Sequence, residues 1–231
     1  SQQPDVVALQ ELTNINPEYL QGLADGWKHP HSALLKNKGF SVGLTSRWPI
    51  TVVEKKVKGM HHGYLHATTN GVHYFVVHLS PFKWEVRQRE AKTLMTAIAP
   101  LLKNNEKVIV LGDFNAVSES DKGLMDKNTT TLESMAKSDA IHAHVANLKD
   151  NKFDYEAMNI FTKELKDTAI GHLSNKPQKR KTLGSGARID FILASDNMYK
   201  LVKRNEIGYS PMLKNVSDHY PVITDFNNLD R

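Results

Sequence analysis

Polar side chains recur in this sequence at the ends of apolar runs that have the length of a β-strand. Glu11 ends the run Val-Val-Ala-Leu-Gln-Glu, and His78 ends Tyr-Phe-Val-Val-His. Asp113 and Asn115 follow the run Val-Ile-Val-Leu-Gly. A rigid strand holds the side chain at its end within the small tolerance that catalysis requires. Each residue alone is more typical of a turn or a core, so only the set as a whole indicates a functional site.

Asp190 differs from the others because it lies inside an apolar run, Arg-Ile-Asp-Phe-Ile-Leu. A buried carboxylate is costly unless it is paired or binds a metal, so we expect a partner for Asp190 and regard a histidine as a good candidate. Asp218 and His219 stand just before a further apolar run, Tyr-Pro-Val-Ile. The candidate residues therefore combine carboxylates, an amide and two imidazoles.

Carboxylate and amide oxygens without cysteine are typical of a site for a hard cation such as Mg²⁺ or Mn²⁺. Zinc is disfavoured because the sequence has no cysteine and no His-Glu-x-x-His pattern. His61 and His62 are adjacent, and adjacent side chains on a strand point to opposite faces, so we do not expect them to chelate one metal. A Mg²⁺ site with acid, amide and imidazole groups suits phosphoryl transfer, in which the protein mainly positions and neutralises charge.

The composition limits the possible classes of protein but does not identify a substrate. The 231 residues carry 30 Lys and Arg against 25 Asp and Glu, a formal charge of +5 that permits an anionic partner without demanding one. The lack of cysteine excludes a disulfide framework and thiol catalysis. The apolar runs are far shorter than the roughly 20 residues of a membrane-spanning helix. No signal peptide opens the sequence, but a processed protein would look the same, so a secreted or periplasmic location after signal removal stays open.

Short strands and a few helices must position the candidate residues. Asn16-Pro17 and Ser80-Pro81 each predict the start of a helix, and Asn104-Asn105 ends the second one. Asn70-Gly71 predicts a hairpin turn. The segment 118–187 is more polar and harder to assign. Strands are predicted at Asp5–Leu9, Val52–Lys58, Tyr64–Thr69, Val72–His78, Val108–Leu111 (broken by Gly112), Ile189–Leu193 and Tyr220–Phe226.

Strands outnumber helices in this pattern, and several neighbouring strands form hairpins. This argues against a doubly wound parallel sheet. We expect an α/β fold with two mixed, mostly antiparallel sheets that pack face to face, with helices outside them.

Five motifs, in this order along the chain, resemble the endonuclease/exonuclease/phosphatase superfamily of metal-dependent phosphohydrolases. The resemblance runs from about residue 4 to about residue 226, and Gly43–Ile50 is similar to the family's Ser-Arg-x-Pro-Ile segment. It implies a four-layer α/β/β/α sandwich in a single catalytic domain over residues 1–231. The motifs are Leu-Gln-Glu11, His78-Leu, Gly-Asp113-Phe-Asn115-Ala, Arg188-Ile-Asp190-Phe-Ile and Ser217-Asp218-His219.

The resemblance also implies roles for the residues at the metal and the phosphate. Glu11 is expected to bind a divalent metal, Mg²⁺ or Mn²⁺, and Asp218 to complete its shell. His78 is expected to contact the phosphate or to protonate the leaving oxygen.

The remaining residues of the motifs are expected to act on the attacking water. Asp113 and Asn115 would orient or deprotonate the water and touch the scissile phosphate. His219, held by Asp190, would contact the phosphate or act as the base, because an imidazole backed by a carboxylate has a fixed tautomer. Whether Asp113 or His219 takes the proton stays open.

The sequence departs from the family in one respect. Family members have a further strand upstream of Leu-Gln-Glu, ending in an Asn that helps to bind metal or phosphate, and this sequence starts too close to Asp5 to include it. Because all downstream motifs are intact, we expect a trimmed chain rather than a degenerate member. Restoring about 25–30 upstream residues, one strand with its connections, should then raise activity.

The substrate is less well defined than the chemistry. The segment Val-Val-His78-Leu-Ser-Pro lacks the Tyr-x-Pro-Asn motif of the abasic-site endonuclease branch, so a repair endonuclease is disfavoured. The basic segment Lys176–Lys181, with Arg188, is either a contact for an anionic substrate or a solvated loop, and charge runs are usually the latter.

Three functions remain open from the sequence. The favoured one is a monomeric phosphodiesterase acting on nucleic acid or on a small or lipid phosphoester. The alternatives are a phosphomonoesterase on sugar or inositol phosphates and a non-catalytic binding module of the same fold. The intact motifs argue against the binding module.

Overall fold

The protein is built around two facing β-sheets, and its computed structural model describes residues 3–172, 180–184, 186–210 and 216–227. The strands are β1 (Val6–Leu9), β2 (His31–Leu34), β3 (Gly43–Ser46), β4 (Thr51–Lys56), β5 (Tyr64–Thr69), β6 (Val72–His78), β7 (Val108–Asp113), β8 (Leu148–Lys149), β9 (Lys152–Phe153), β10 (Lys166–Asp167), β11 (Asp190–Ala194), β12 (Val202–Ile207) and β13 (Val222–Phe226). The helices are α1 (Pro17–Gly26), α2 (Trp84–Lys103), α3 (Lys122–Met125), α4 (Thr129–Ile141), α5 (Glu156–Thr162) and α6 (Asp196–Tyr199).

The larger sheet has the strand order β10-β11-β7-β6-β5-β4, and among the described strands its one parallel pair is β6 with β7. The smaller sheet, β1-β3-β2, is antiparallel. Strands β12 and β13 form a further antiparallel pair, and β8 and β9 a short hairpin. The prediction of mixed, mostly antiparallel sheets is therefore confirmed.

Alternating side chains of β6 show how the layers stack. Tyr74 and Val76 face the smaller sheet and share a core with Leu44 of β3. Phe75 and Val77 face the opposite way and pack with helices α2 and α5 in a second core. On the outer side of the smaller sheet, Leu20 of α1 packs against Leu12 and Leu34. The order helix, sheet, sheet, helix is the four-layer α/β/β/α sandwich that was expected.

Several local predictions are confirmed by the structure. The side chain of Asn16 accepts a hydrogen bond from the backbone N–H of Tyr19 and caps α1, and Pro17 is the first helical residue. Asn70 and Gly71 both have positive φ angles, of 49° and 71°, as a type I′ hairpin turn requires. Within the described residues, no helix is both long and apolar enough to cross a membrane.

Helix α2 starts later than the sequence predicted. Ser80 and Pro81 precede an extended segment, and the helix begins only at Trp84, after Lys83 with φ −131° and ψ 130°. The backbone N–H of Ser80 donates to the buried carboxylate of Glu90 on α2 itself, which holds this segment away from helical geometry. The delayed start leaves room for the chain to run from the end of β6 past the site.

Gly112 does not break β7, contrary to the prediction. The strand continues through Gly112 to Asp113, with Gly112 opposite Phe191 of β11 and Val77 of β6. Its φ angle of 137° suits glycine alone, and a Cβ there would collide with the carbonyl oxygen of Val77. The glycine therefore allows three strands to stay paired up to the residue that carries the candidate carboxylate.

We expect the substitution Gly112→Ala to lower the free energy of unfolding by roughly 3 kcal/mol, because a strained φ costs about 1–3 kcal/mol and the clash adds to it. Urea denaturation of the variant measures this. Gly123→Ala is the matched control, since a Cβ at Gly123 meets nothing within 4 Å. Equal midpoints for Gly112→Ala and the wild type would contradict the proposed constraint.

A buried imidazole in the larger sheet makes stability depend on pH. The ring of His66 stacks on Phe75 with centroids 4.0 Å apart, and its Nε2 lies 2.9 Å from Nδ1 of His73. Burial lowers the pKa of His66 from 6.5 to about 4. As the pH falls below 6.5 the unfolded chain therefore binds a proton that the folded protein resists, and stability is lost down to about pH 4.

Replacing this imidazole should flatten the acid limb of the stability profile. Between pH 6.5 and 4, the unfolding free energy of His66→Phe should fall less steeply than that of the wild type, by up to ~1.4 kcal/mol per pH unit. Chemical denaturation at several pH values measures both slopes. Parallel profiles for the two proteins would rule out His66 as a source of acid sensitivity.

Candidate active site

Three of the predicted residues form one row across the larger sheet. His78 at the end of β6 is the register partner of Asp113 at the end of β7, and Asp113 is the register partner of Asp190 at the start of β11. Partners on neighbouring strands place their side chains on the same face of a sheet. Strand pairing alone therefore brings these three side chains together from sites far apart in the sequence.

Asp113 lies at the centre of this row and is buried, with 6% of the residue exposed. Its Oδ1 accepts a hydrogen bond of 2.7 Å from the backbone N–H of Asn115, and its Oδ2 lies 3.6 Å from Nε2 of His78. Burial, together with the negative charge of Asp190, raises the pKa of Asp113 to about 7. The raised pKa indicates that the neighbouring groups do not fully compensate the negative charge of Asp113.

Asn115 is placed beside this carboxylate by a tight turn. Its φ angle of 47° is left-handed, a region in which Asn is one of the better tolerated residues. Its side-chain amide donates to the carbonyl oxygen of Leu79, the residue that follows His78, at 3.0 Å. Asn115 therefore ties the ends of β6 and β7 together next to Asp113.

His219 meets Asp190 as the sequence predicted. Its Nδ1 donates to Oδ2 of Asp190 at 2.9 Å, and this hydrogen bond raises the pKa of His219 to about 9. The pairing orients the ring and leaves Nε2 as the atom that can face a substrate. Both backbone N–H groups at the start of β11, those of Ile189 and Asp190, donate to the hydroxyl of Thr182, which steadies the pair.

The donor atoms of Asp113, Asp190 and His219 all lie within 4.8 Å of one another, close enough to surround one metal ion. The set fits a hard divalent cation, because two carboxylates crowd a buried position and repel each other. These three residues could hold such an ion, which would supply charge neutralisation at a phosphate.

The two residues predicted as metal ligands lie at the edge of this group. Glu11 is exposed, directly after β1 and a further glutamine, and its charge helps to raise the pKa of Asp113. Asp218 is exposed as well and contributes to the raised pKa of His219. Neither belongs to the group within 4.8 Å, and their direct ligation stays a prediction.

His62 lies at the site, although no sequence pattern predicted it there. Its ring stacks on that of His78 with centroids 4.1 Å apart and an interplanar angle of 25°. The expectation that His61 and His62 lie on a strand is wrong, because both lie in the loop between β4 and β5. Burial lowers the pKa of His62 to about 3 and that of His78 to about 4. Both rings are therefore neutral at pH 7 and suited to hydrogen bonding rather than to carrying charge.

Glu90 of α2 is a second residue that sequence reasoning missed. Its side chain is fully buried, and its two carboxylate oxygens accept hydrogen bonds from the backbone N–H groups of His61 and Ser80. It thus fixes the loop that carries His62 and the segment that follows His78. In the sequence Glu90 looks like any polar residue of an amphipathic helix, so no local pattern could have identified it.

Two basic residues near β11, Arg180 and Arg188, form structural ion pairs. Arg188 is buried, and its guanidinium pairs with Asp121 at 2.6 Å and Asp167 at 2.7 Å. Arg180 pairs with the same Asp121 at 2.6 Å. The hypothesis that Arg188 contacts an anionic substrate is therefore wrong, because its donors are used to anchor the start of β11. Most of the basic segment, 176–179, lies outside the described residues.

Comparison with known proteins agrees with this fold. The family model described as the Endonuclease/Exonuclease/phosphatase family matches residues 1–219. The chain belongs to that family and is a hydrolase of phosphoester bonds. No curated protein matches the sequence at the threshold of significance.

Solved structures extend the comparison. An AP endonuclease from Archaeoglobus fulgidus is 18% identical with a TM-score of 0.66, and the match covers 98% of this chain and 90% of that one. The 3′ phosphatase NExo from Neisseria, bound to a product DNA hairpin, is 17% identical with a TM-score of 0.70 over 97% and 89% of the two chains. The 3′-5′ exonuclease NExo from Neisseria meningitidis is 18% identical with a TM-score of 0.66 over 97% and 90%. At these identities the likeness concerns the fold.

Proposed function

We propose that this protein is a divalent-metal-dependent phosphodiesterase that acts on nucleic acid. The observation that carries the proposal is the row of His78, Asp113 and Asp190 across three strands, with His219 hydrogen-bonded to Asp190. A buried carboxylate, a carboxylate-backed imidazole and a neutral imidazole on one face supply the groups that in-line displacement at phosphorus needs.

Each of these residues has a separate role in the proposed reaction. We assign the proton of the attacking water to Asp113, which is held by the backbone N–H of Asn115. His219, held by Asp190 and protonated at pH 7 because its pKa is about 9, contacts the phosphate. His78, as a neutral imidazole, donates a hydrogen bond to a phosphate oxygen. A bound Mg²⁺ or Mn²⁺ would neutralise charge that develops on the phosphate.

Two considerations support nucleic acid as the substrate. Proteins of similar fold include a DNA-bound 3′ phosphatase, a 3′-5′ exonuclease and an AP endonuclease. The net charge of +5 suits a polyanionic partner. Since the Tyr-x-Pro-Asn segment of abasic-site endonucleases is absent, we propose strand cleavage or end trimming rather than repair of abasic sites.

A substrate panel tests the proposal. Plasmid DNA, single-stranded DNA, RNA, sphingomyelin, inositol phosphates and an aryl phosphodiester are each incubated with Mg²⁺ or Mn²⁺ and with EDTA. We expect cleavage of nucleic acid and of the aryl diester, both abolished by EDTA. Release of inorganic phosphate from monoesters alone would overturn the proposal in favour of a phosphomonoesterase, and inactivity on every substrate would favour a binding module.

A further inference from the structure

A cavity of about 480 Å³ opens beside the site just described. It is lined by His61, Ser80, Phe82, Lys83, Arg89 and His144, with three further residues. A volume of this size lies within the range of small-ligand sites. None of the lining residues belongs to the row of His78, Asp113 and Asp190, so the proposed reaction does not use this cavity.

The cavity adjoins the reacting groups through both of its walls. On one wall His61 precedes His62, whose ring stacks on His78. On the other wall Ser80 is the second residue after His78. Because Glu90 binds the backbone of His61 and of Ser80 at once, the two walls keep a fixed position relative to the site.

The aromatic side chains of the cavity form one continuous surface. Phe82 lies between two imidazoles, with its ring centroid 5.1 Å from that of His61 and 5.2 Å from that of His144, both in edge-to-face geometry. Phe82 is 36% exposed although it is a large apolar residue. An exposed ring framed by two further rings is suited to stack on a planar, polar partner such as a nucleobase.

Two cationic side chains line the cavity. Lys83 and Arg89 line it, and within the described part of the chain neither forms an ion pair with a carboxylate. No acidic residue is among those that line it. Arginine and lysine beside an aromatic surface are the groups that bind a phosphate next to a base.

We propose that this cavity binds the nucleotide next to the scissile phosphodiester, with its base on Phe82 and its phosphate at Lys83 and Arg89. The proposal rests on the proposed function and specifies it: the preferred substrate is single-stranded or unpaired at this position, because a base within a duplex cannot offer its face to a side chain. The cavity then determines which substrates bind well, without taking part in the chemistry.

The test compares two substrates in the variants Phe82→Ala and Lys83→Ala/Arg89→Ala. One is a single-stranded oligodeoxynucleotide, and the other is an aryl phosphodiester, which has no neighbouring base or phosphate. Lys103→Ala is the matched control, because Lys103 is exposed at the other end of α2, about 30 Å from Lys83. We expect each variant to raise KM for the oligonucleotide roughly tenfold and to leave kcat/KM for the aryl diester unchanged.

The outcomes separate this proposal from the proposed function. An unchanged oligonucleotide KM in both variants, or an equal loss on both substrates, would overturn the subsite while leaving the diesterase intact. If the wild type cleaves neither substrate, the proposed function fails. Fluorescence anisotropy with a labelled oligothymidylate in EDTA then decides the subsite by itself: roughly tenfold weaker binding by Phe82→Ala supports it, and equal binding overturns it.

Discussion

The substitution Asp113→Asn is expected to slow hydrolysis of phosphodiesters by about a thousandfold, within the range that positioned acid and base groups contribute. Asn has the same shape and can still accept the hydrogen bond that the backbone of Asn115 donates to Oδ1. What it loses is the negative charge at the centre of the row, between His78 and Asp190. That charge is required to bind a cation or to take a proton from water.

The same substitution should leave the protein as stable as the wild type or more stable. Burial and repulsion from Asp190 disfavour the charged form of Asp113 and raise its pKa to about 7, and a neutral amide removes that repulsion. Steady-state rates on an aryl diester and thermal unfolding in EDTA measure the two effects separately. Asp126→Asn is the control, because Asp126 is exposed and, among the described residues, its carboxylate accepts a hydrogen bond only from the hydroxyl of Tyr155. Wild-type activity in Asp113→Asn would contradict its assigned role.

The second large effect is expected from His219→Ala, with a loss of activity of about a hundredfold to a thousandfold. The imidazole is part exposed, so its removal leaves no large cavity, and the fold should tolerate it. Asp190→Asn should cost less than His219→Ala, since the imidazole remains and an amide oxygen can still accept the hydrogen bond from its Nδ1.

Rates for both variants are measured on the same aryl diester, with circular dichroism to check folding. His172→Ala is the control for the loss of an exposed histidine outside the site. A full rate in His219→Ala would contradict the role of His219 in the reaction. A larger loss in Asp190→Asn than in His219→Ala would contradict the proposal that Asp190 acts by positioning His219.

The sequence predicted the central residues because their positions follow from strand periodicity. His78 and Asp113 lie at or just after the ends of apolar runs, Asp190 lies inside one, and strand pairing makes the three residues neighbours. The cost of a buried charge predicted that Asp190 has a partner, with a histidine as a good candidate. The family resemblance then pointed to His219 as that partner.

Residues whose role depends on distant contacts could not be found in this way. Asp121 pairs with Arg188, 67 positions away, and this pairing removes Arg188 from the set of substrate contacts. Glu90 holds His61 across 29 positions. Periodic patterns in the sequence do not indicate such contacts, because the contacts arise only when the helices pack on the sheet. The prediction that Gly112 breaks β7 was wrong for a similar reason. Its positive φ angle allows β6, β7 and β11 to stay paired, and this pairing is not visible in the local sequence.

The most direct test of the hydrolytic centre is the rate of aryl diester hydrolysis by the double variant Asp113→Asn/His219→Ala, set against both single variants. Residues that act as one unit give losses that do not multiply. We expect the double variant to lose about as much as Asp113→Asn alone. A folded double variant that hydrolyses the diester at the wild-type rate would show that the reaction takes place elsewhere in the molecule.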